Sequence, residues 1–326
     1  MNTKLDQLRS LLDTEIASYI SQLPEDNLHT PIKYIMSLGG KRIRPSLVLL
    51  SANAFDGSFE KAMPAALAVE IFHNFTLVHD DIMDEAPLRR GEETVHQKWD
   101  INTAILSGDA MVIEAYKQLT LCGAEKLPEL LDLFNRTSAE VCLGQQYDMD
   151  FEDEQAVTEK RYIEMIGLKT AVLLGCSLQM GAILSDATRE ESEAIYAFGK
   201  AAGIGFQLQD DYLDAFGNPE NFGKQVGGDI ISNKKTYLII RALQKASAEQ
   251  KQELEAIYFK DQISDSAEKV KRVRQVFLEL EVDQDIQNRS EEYFAEAKRQ
   301  LDRTNLSAEG REQMEGFLKI LQGRRS

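Results

Sequence analysis

The chain has 326 residues, with 37 Lys and Arg against 54 Asp and Glu, a formal charge of −17 and a pI near 4.8. An apolar content of 43% supplies a core and 28% charged residues solvate it, which excludes general disorder. The acidic balance excludes nucleic acid as the main partner, because neutralising phosphates needs a basic face; taken alone, it argues against any anionic substrate.

In chain order, Met1 to Leu23 alternates polar and apolar residues at helical spacing and lacks the basic start and apolar block of a signal peptide. Gly39-Gly40-Lys41-Arg42-Ile43-Arg44-Pro45 then sets three cations beside two glycines. Glycine lets backbone approach a ligand, and Lys and Arg supply charge and forked donors for phosphate. From Lys61 to Asp84, Ala66, Val69, Phe72 and Phe75 recur every third residue, which predicts a helix. It ends in Asp80-Asp81-Ile82-Met83-Asp84, and Arg89-Arg90-Gly91 follows. Helical patterns continue over 128–150, 158–184 and 188–216. Within them Lys169-Thr170 opens the most apolar stretch, Thr170 to Leu184. It is shorter than the about 20 residues a bilayer requires and contains Gln179, so it predicts a buried core helix and no membrane span.

The 188–216 pattern ends in Asp210-Asp211-Tyr212-Leu213-Asp214, followed by Lys224 and Asn233-Lys234-Lys235. Amphipathic patterns over 267–280 and 282–301 predict an outer layer. Strand-like alternation is scarce, and neither a composition shift nor a repeat divides the chain. The prediction is one all-α domain, residues 1–326, of about a dozen helices. Cys122, Cys142 and Cys176 form no CxxC pair, so they predict reduced thiols in apolar helices and a cytoplasmic protein.

The two DDxxD clusters are the most informative feature. Positions i and i+4 share a helix face, so Asp80 and Asp84 repel, as do Asp210 and Asp214. Asp is also disfavoured at a helix C-terminus, where the dipole prefers cations. A hard divalent cation offsets both costs, and Mg²⁺ usually completes its octahedron with substrate phosphate. Acid pairs, metal and nearby cations together describe a diphosphate site. The sequence has no Walker A loop, GxSxG or HExxH. His73 lies two turns before the first cluster, within reach of it; a structural role is the default for His79.

These residues resemble the trans-type isoprenyl diphosphate synthases, or polyprenyl synthetases, over nearly the whole chain. Gly40-Lys41-Arg42-Ile43-Arg44-Pro45 is similar to the family's GKxxRP, and Asp80–Asp84 with Leu88-Arg89-Arg90-Gly91 to its first aspartate-rich motif. Gly144-Gln145 with Asp148, and Lys169-Thr170-Ala171, match two intermediate motifs. Gly205-Phe206-Gln207-Leu208-Gln209-Asp210-Asp211, Gly223-Lys224 and Lys234-Lys235-Thr236-Tyr237 match the second. Leu238 departs from the Pro many members carry.

The resemblance implies an isoprenoid-synthase fold, a bundle of mostly antiparallel helices around a deep central cavity, assembled as a homodimer. It implies head-to-tail condensation of isopentenyl diphosphate with dimethylallyl, geranyl or farnesyl diphosphate, releasing diphosphate. Three Mg²⁺ ions are implied: two on Asp80 and Asp84, one on Asp210, supported by Asp81 and Asp214, with Asp211 completing the catalytic acids. Arg89, Lys169, Lys224 and Lys234 would grip the allylic diphosphate, and Lys41, Arg44, His73 and Arg90 the isopentenyl diphosphate. Thr170 and Gln207 dipoles would stabilise the allylic cation, Phe206 would shape the acceptor site, and Gly323-Arg324-Arg325-Ser326 is a candidate part of a lid.

Product length follows from what blocks the path beside the first cluster. Phe75 lies five residues before Asp80, roughly 7.5 Å along the helix. Thr76 is small, and Phe72 stands behind Phe75. In the family an aromatic at the fifth position with an uninterrupted DDxxD resembles short-chain synthases, so a C15–C20 product is expected, with C20 favoured. The alternatives are a longer-chain synthase, a class I terpene cyclase, a non-catalytic synthase subunit and a plain helical interaction protein. The second cluster does not resemble a cyclase's Asn-Ser-Glu motif, and both aspartate motifs are intact.

Overall fold

The computed structural model describes residues 4–154, 156–217, 226–259, 263 and 265–323. The helices are α1 (Lys4–Gln22), α2 (Thr30–Ser37), α3 (Ile43–Ala54), α4 (Phe59–Met83), α5 (Val95–Lys98), α6 (Ile101–Leu119), α7 (Leu127–Asp153), α8 (Glu159–Ile166), α9 (Val172–Leu184) and α10 (Arg189–Phe216). A five-residue π turn, Gly167–Ala171, joins α8 to α9. Beyond α10 come the short Gly228–Ile231 and then Tyr237–Lys245, Ala248–Phe259, Ser266–Glu279, Val282–Leu301 and Ala308–Gln322. The helices outnumber the expected dozen: the single turns Val95–Lys98 and Gly228–Ile231 fall between the periodic runs, and the π turn splits the 158–184 run in two.

Among the described residues the sole strand pair is a hairpin, Leu88–Arg89 against Glu92–Glu93. Its two-residue loop, Arg90-Gly91, has φ of 58° and 85°. Positive φ at both loop positions is the signature of a type I′ turn.

The chain divides into two compact units. The first comprises Met1–Asn135, Cys176–Tyr196 and Thr304–Met314; the second comprises Arg136–Gly175, Ala197–Arg303 and Glu315–Ser326. The boundaries cut through α7, α9, α10 and the last helix, Ala308–Gln322, so neither unit is one continuous stretch of sequence.

The first unit is organised on α4, which is apolar nearly all round and packs against both α3 and α6. Ala62, Ala65, Ala66 and Ala68 are fully buried on it, and such small side chains let neighbouring helices approach closely. Asp100 caps α6, its side chain accepting from the Thr103 amide at 2.9 Å. In the second unit Phe151, Tyr162, Leu208, Tyr258, Val273 and Phe277 belong to one buried cluster.

Glu159–Leu184 is one 26-residue helical run, long and apolar enough to cross a membrane by length and composition, with 83% of its most apolar window buried inside the protein. The run thus starts earlier than Thr170, and burial rather than shortness marks it as a core helix. The cysteines also differ from expectation. All are free, but only Cys176 is buried; Cys142 is exposed on α7 and Cys122 follows α6 in a turn.

Candidate active site

In the first unit, the basic loop before α3 separates its cations by role. Arg42 adopts a left-handed conformation, φ 48°, at the start of α3. That turn sends its guanidinium inward, where it bonds Glu70 of α4 at 2.6 Å, Asp13 at 3.1 Å and the Met36 carbonyl at 2.8 Å. Both Arg42 and Glu70 side chains are 2% exposed, so Arg42 anchors the loop and does not serve as a third ligand-facing cation. Lys41 stays exposed on one side of this anchor.

Arg44, on the other side, reaches α4, where its Nη1 donates to His73 Nε2 at 3.2 Å. That contact places the His73 proton on Nδ1. Burial, reinforced by Arg44, Arg90, Arg89 and Arg42, holds the His73 imidazolium well below the ordinary histidine range. Burial likewise lowers the Arg44 guanidinium to about 10, and its buried Nε has no hydrogen-bond partner. A buried donor without a partner among clustered cations fits an incoming anion.

The hairpin supplies the remaining arginines. Arg90 Nη1 donates to the Gly39 carbonyl, and a Cβ at Gly40 would stand 2.9 Å from its guanidinium. Gly40 has φ +137°, so glycine is required there both by conformation and by space. Arg89 Nε donates to Asp81 Oδ1 at 3.0 Å and Oδ2 at 3.3 Å, with Asp80 at 3.9 Å from Nη2. Asp81 is 1% exposed and spends both oxygens on Arg89. Burial pushes its carboxyl up while Arg89 pulls it down. Asp80 lies in the last turn of α4, and Asp84 caps that helix in an exposed position.

Phe75 is half-buried and leans on Phe72, with ring centroids 5.4 Å apart. Phe72 packs edge-on to Phe134 at 5.1 Å. The Thr76 hydroxyl turns back to its own helix, donating to the His73 carbonyl at 2.7 Å.

In the second unit, two glycines shape the π turn. A Cβ at Gly144 on α7 would stand 2.7 Å from Leu168 C, and one at Gly203 on α10 would stand 2.8 Å from Ala171 Cα. Two helices therefore press their bare backbones on this turn. π turns recur at functional sites because the widened turn re-aims side chains. Here Lys169 Nζ bonds Asp148 Oδ2 at 2.6 Å, and the Thr170 hydroxyl lies 3.4 Å from Gln207 Oε1. Gln207 Nε2 donates to Asp211 Oδ1 at 3.2 Å, and the Tyr162 hydroxyl donates to Asp211 Oδ2. Burial, then Asp229, push the Asp211 carboxyl well above the usual range.

Asp210 and Phe206 are half-buried on α10. Asp214 accepts from the Asp229 amide at 3.0 Å through Oδ2 and from the Gly227 amide at 2.6 Å through its carbonyl. Gly227, φ +84°, makes the turn that returns the chain to Asp214. Lys234 is exposed, whereas Lys235 is a helix stop: its Nζ donates to the Phe151 carbonyl and, at 2.7 Å, to the Glu152 carbonyl at the end of α7. Lys224 and Arg324-Arg325-Ser326 lie outside the described residues.

Asp229, Tyr162 and the Arg42–Glu70 pair were not expected from the sequence. Only the Gly227-Gly228 pair hinted that the chain bends back there. Among the described residues no group of three or more His, Cys, Asp or Glu side chains forms a ready-made metal cage. The acids fit Mg²⁺ all the same: they are hard oxygen donors, and this ion binds through one or two carboxylates, waters and substrate phosphate.

A family model described as polyprenyl synthetase matches residues 25–277. The geranylgeranyl diphosphate synthase of Methanosarcina mazei is 39% identical over 248 residues, 74% of this chain and 76% of that protein. The farnesyl diphosphate synthase of Bacillus subtilis is 37% identical over 249 residues, 73% of this chain and 83% of that protein. A crystal structure of a geranylgeranyl pyrophosphate synthase matches with a TM-score of 0.93 at 45% identity, covering 100% of both chains.

Proposed function

Since this chain belongs to the polyprenyl synthetase family and is a short-chain prenyl diphosphate synthase that condenses isopentenyl diphosphate with allylic diphosphates, we propose roles for its residues and a length for its product. Asp80, Asp84 and Asp210 hold Mg²⁺, three ions in all, with Asp214 in support. The metal, when bound, stabilises the charge that develops on the leaving diphosphate. Lys169, Lys234, Lys224 and Arg89 neutralise the allylic diphosphate. Arg44, Arg90, Lys41 and neutral His73 bind isopentenyl diphosphate, and the partnerless Nε of Arg44 supports that reading.

Thr170 and Gln207 face the allylic cation. The amide of Gln207 gives its N–H to Asp211 and turns its oxygen to the Thr170 hydroxyl. That orientation leaves oxygen lone pairs to stabilise positive charge. Asp81 positions Arg89, a different task from the metal support expected of it. Water is excluded while the cation exists, and released diphosphate takes the final proton.

The observation that carries the reading is the full-length likeness to a geranylgeranyl pyrophosphate synthase, joined to acid motifs at the ends of α4 and α10. With Phe75 as floor and Phe72 behind it, the product is C20. Purified protein is incubated with Mg²⁺, labelled isopentenyl diphosphate and each of dimethylallyl, geranyl and farnesyl diphosphates, and the dephosphorylated products are chromatographed. All-trans C20 alcohol is expected. No elongation of any of the three allylic diphosphates rejects the reading, and a cyclic hydrocarbon from a prenyl diphosphate alone favours a cyclase.

The working form is a homodimer. On α6, Ile101, Ile105, Leu106 and Ile113 are 40–62% exposed along one face, and a second copy would cover that apolar stripe. Light scattering should give twice 36.7 kDa for the native chain and one chain's mass for Ile113→Glu. A monomeric native chain contradicts the assembly.

A further inference from the structure

We infer that His79 and Gly108 set the position of Phe75 and thereby fix where the product stops growing. The inference rests on the reading of Phe75 as the floor. His79 touches no substrate in this scheme; it acts on product length through Phe75.

Phe75 and His79 are one turn apart on α4, and their rings meet edge-on with centroids 4.8 Å apart. On its other side Phe75 meets Phe72, which is 1% exposed and wedged against Phe134. Close-packed aromatics of this kind do not yield without cost, so Phe72 is a fixed wall. The position of Phe75 then depends on the other ring that meets it, His79.

His79 is itself seated by α6. Its Nε2 lies 3.2 Å from the carbonyl oxygen of Ile105, so Nε2 carries the proton and donates. A Cβ at Gly108 would overlap Nε2 and stand 2.6 Å from Cδ2. The imidazole thus occupies room that exists only because residue 108 has no side chain. Gly108 has no other evident need to be glycine: it lies inside α6, where Ala is the better helix former.

The test measures product length, which loss of stability alone does not shift. Full-length Phe75→Ala, His79→Ala, Gly108→Ala and His79→Ala/Gly108→Ala proteins are assayed at fixed isopentenyl and geranyl diphosphate, scoring the ratio of successive products. Phe75→Ala should give longer products. His79→Ala should at least double the fraction carrying one more five-carbon unit. Gly108→Ala should change the ratio in the native background. It should add nothing to His79→Ala, because no ring remains to displace. If His79→Ala does not fold, His79→Gln, which keeps a donor for Ile105 but not the ring, takes its place with the same expectation.

Longer products from Phe75→Ala with native ratios from the His79 and Gly108 variants overturn the inference and leave the floor standing. Native ratios from Phe75→Ala remove the floor, and the inference with it.

Discussion

The same five-residue pattern, DDxxD, ends α4 in one unit and lies in the closing turns of α10 in the other, yet its surroundings are opposite. In both, the middle aspartate is buried and fully engaged. Asp81 is answered by a cation, Arg89, within a group that also holds Arg42, Arg44 and Arg90. Asp211 is answered by neutral donors, Tyr162 and Gln207, with Asp229 as a further acid nearby. The first motif therefore carries part of its own neutralisation. The middle aspartate of the second is held by uncharged hydrogen-bond donors instead. A motif recognised twice in a sequence is two electrostatic designs in the fold.

The largest effect should come from the outer aspartates, where the two motifs are expected to behave alike. Asp80→Ala and Asp210→Ala should each lower kcat/KM by at least about a hundredfold, the scale of removing one preorganised charge stabiliser. Far-UV circular dichroism should be unchanged. Near-native turnover in either variant would break the parallel and the metal assignment together.

The middle aspartates should then separate the motifs. Arg89→Met strands the buried Asp81 carboxylate and should cost about 2–4 kcal/mol in denaturant unfolding, tempered by the 28% exposure of Arg89. Tyr162→Phe removes one of two donors to Asp211 and should cost only about 1–2 kcal/mol. A costlier Tyr162→Phe would reverse the comparison.

The smallest effect is the pH response of the arginine-rich side. The buried His73 faces Arg44 from α3, Arg89 and Arg90 from the hairpin, and Arg42, all of which disfavour its charged form. Its folded pKa lies below the unfolded value near 6.5, so its contribution is fully present above that pH. Below about pH 6.5 the unfolded chain binds the extra proton, and stability falls by up to about 1.4 kcal/mol per pH unit until the folded pKa is reached. His73→Gln should flatten that slope. An unchanged slope places the titration elsewhere.

Much of this was legible in the sequence. The helix pattern over 282–301 matches Val282–Leu301, and the 188–216 pattern starts one residue before Arg189. Both aspartate clusters fell at helix ends because apolar periodicity stops where charge begins. What stayed hidden depends on contacts remote in sequence. Arg42 and Arg44 are two residues apart in one motif, and only the left-handed turn at Arg42 turns one inward to Glu70. The π turn is invisible to a 3.6-residue period, since the glycines that crowd it stand at 144 and 203. Asp229 joins the second cluster through a backbone return whose one local trace is the Gly227-Gly228 pair.

That π turn places a constraint of counting on the site. Deleting any one residue from Gly167–Ala171 would wind the turn back to ordinary α pitch, closing the widened turn while the flanking α8 and α9 keep their phase. Lys169 and Thr170 would then lose their aim at Asp148 and Gln207 even if both side chains were kept. The number of residues between Ile166 and Val172 is thus as much a part of the site as the identity of any one of them.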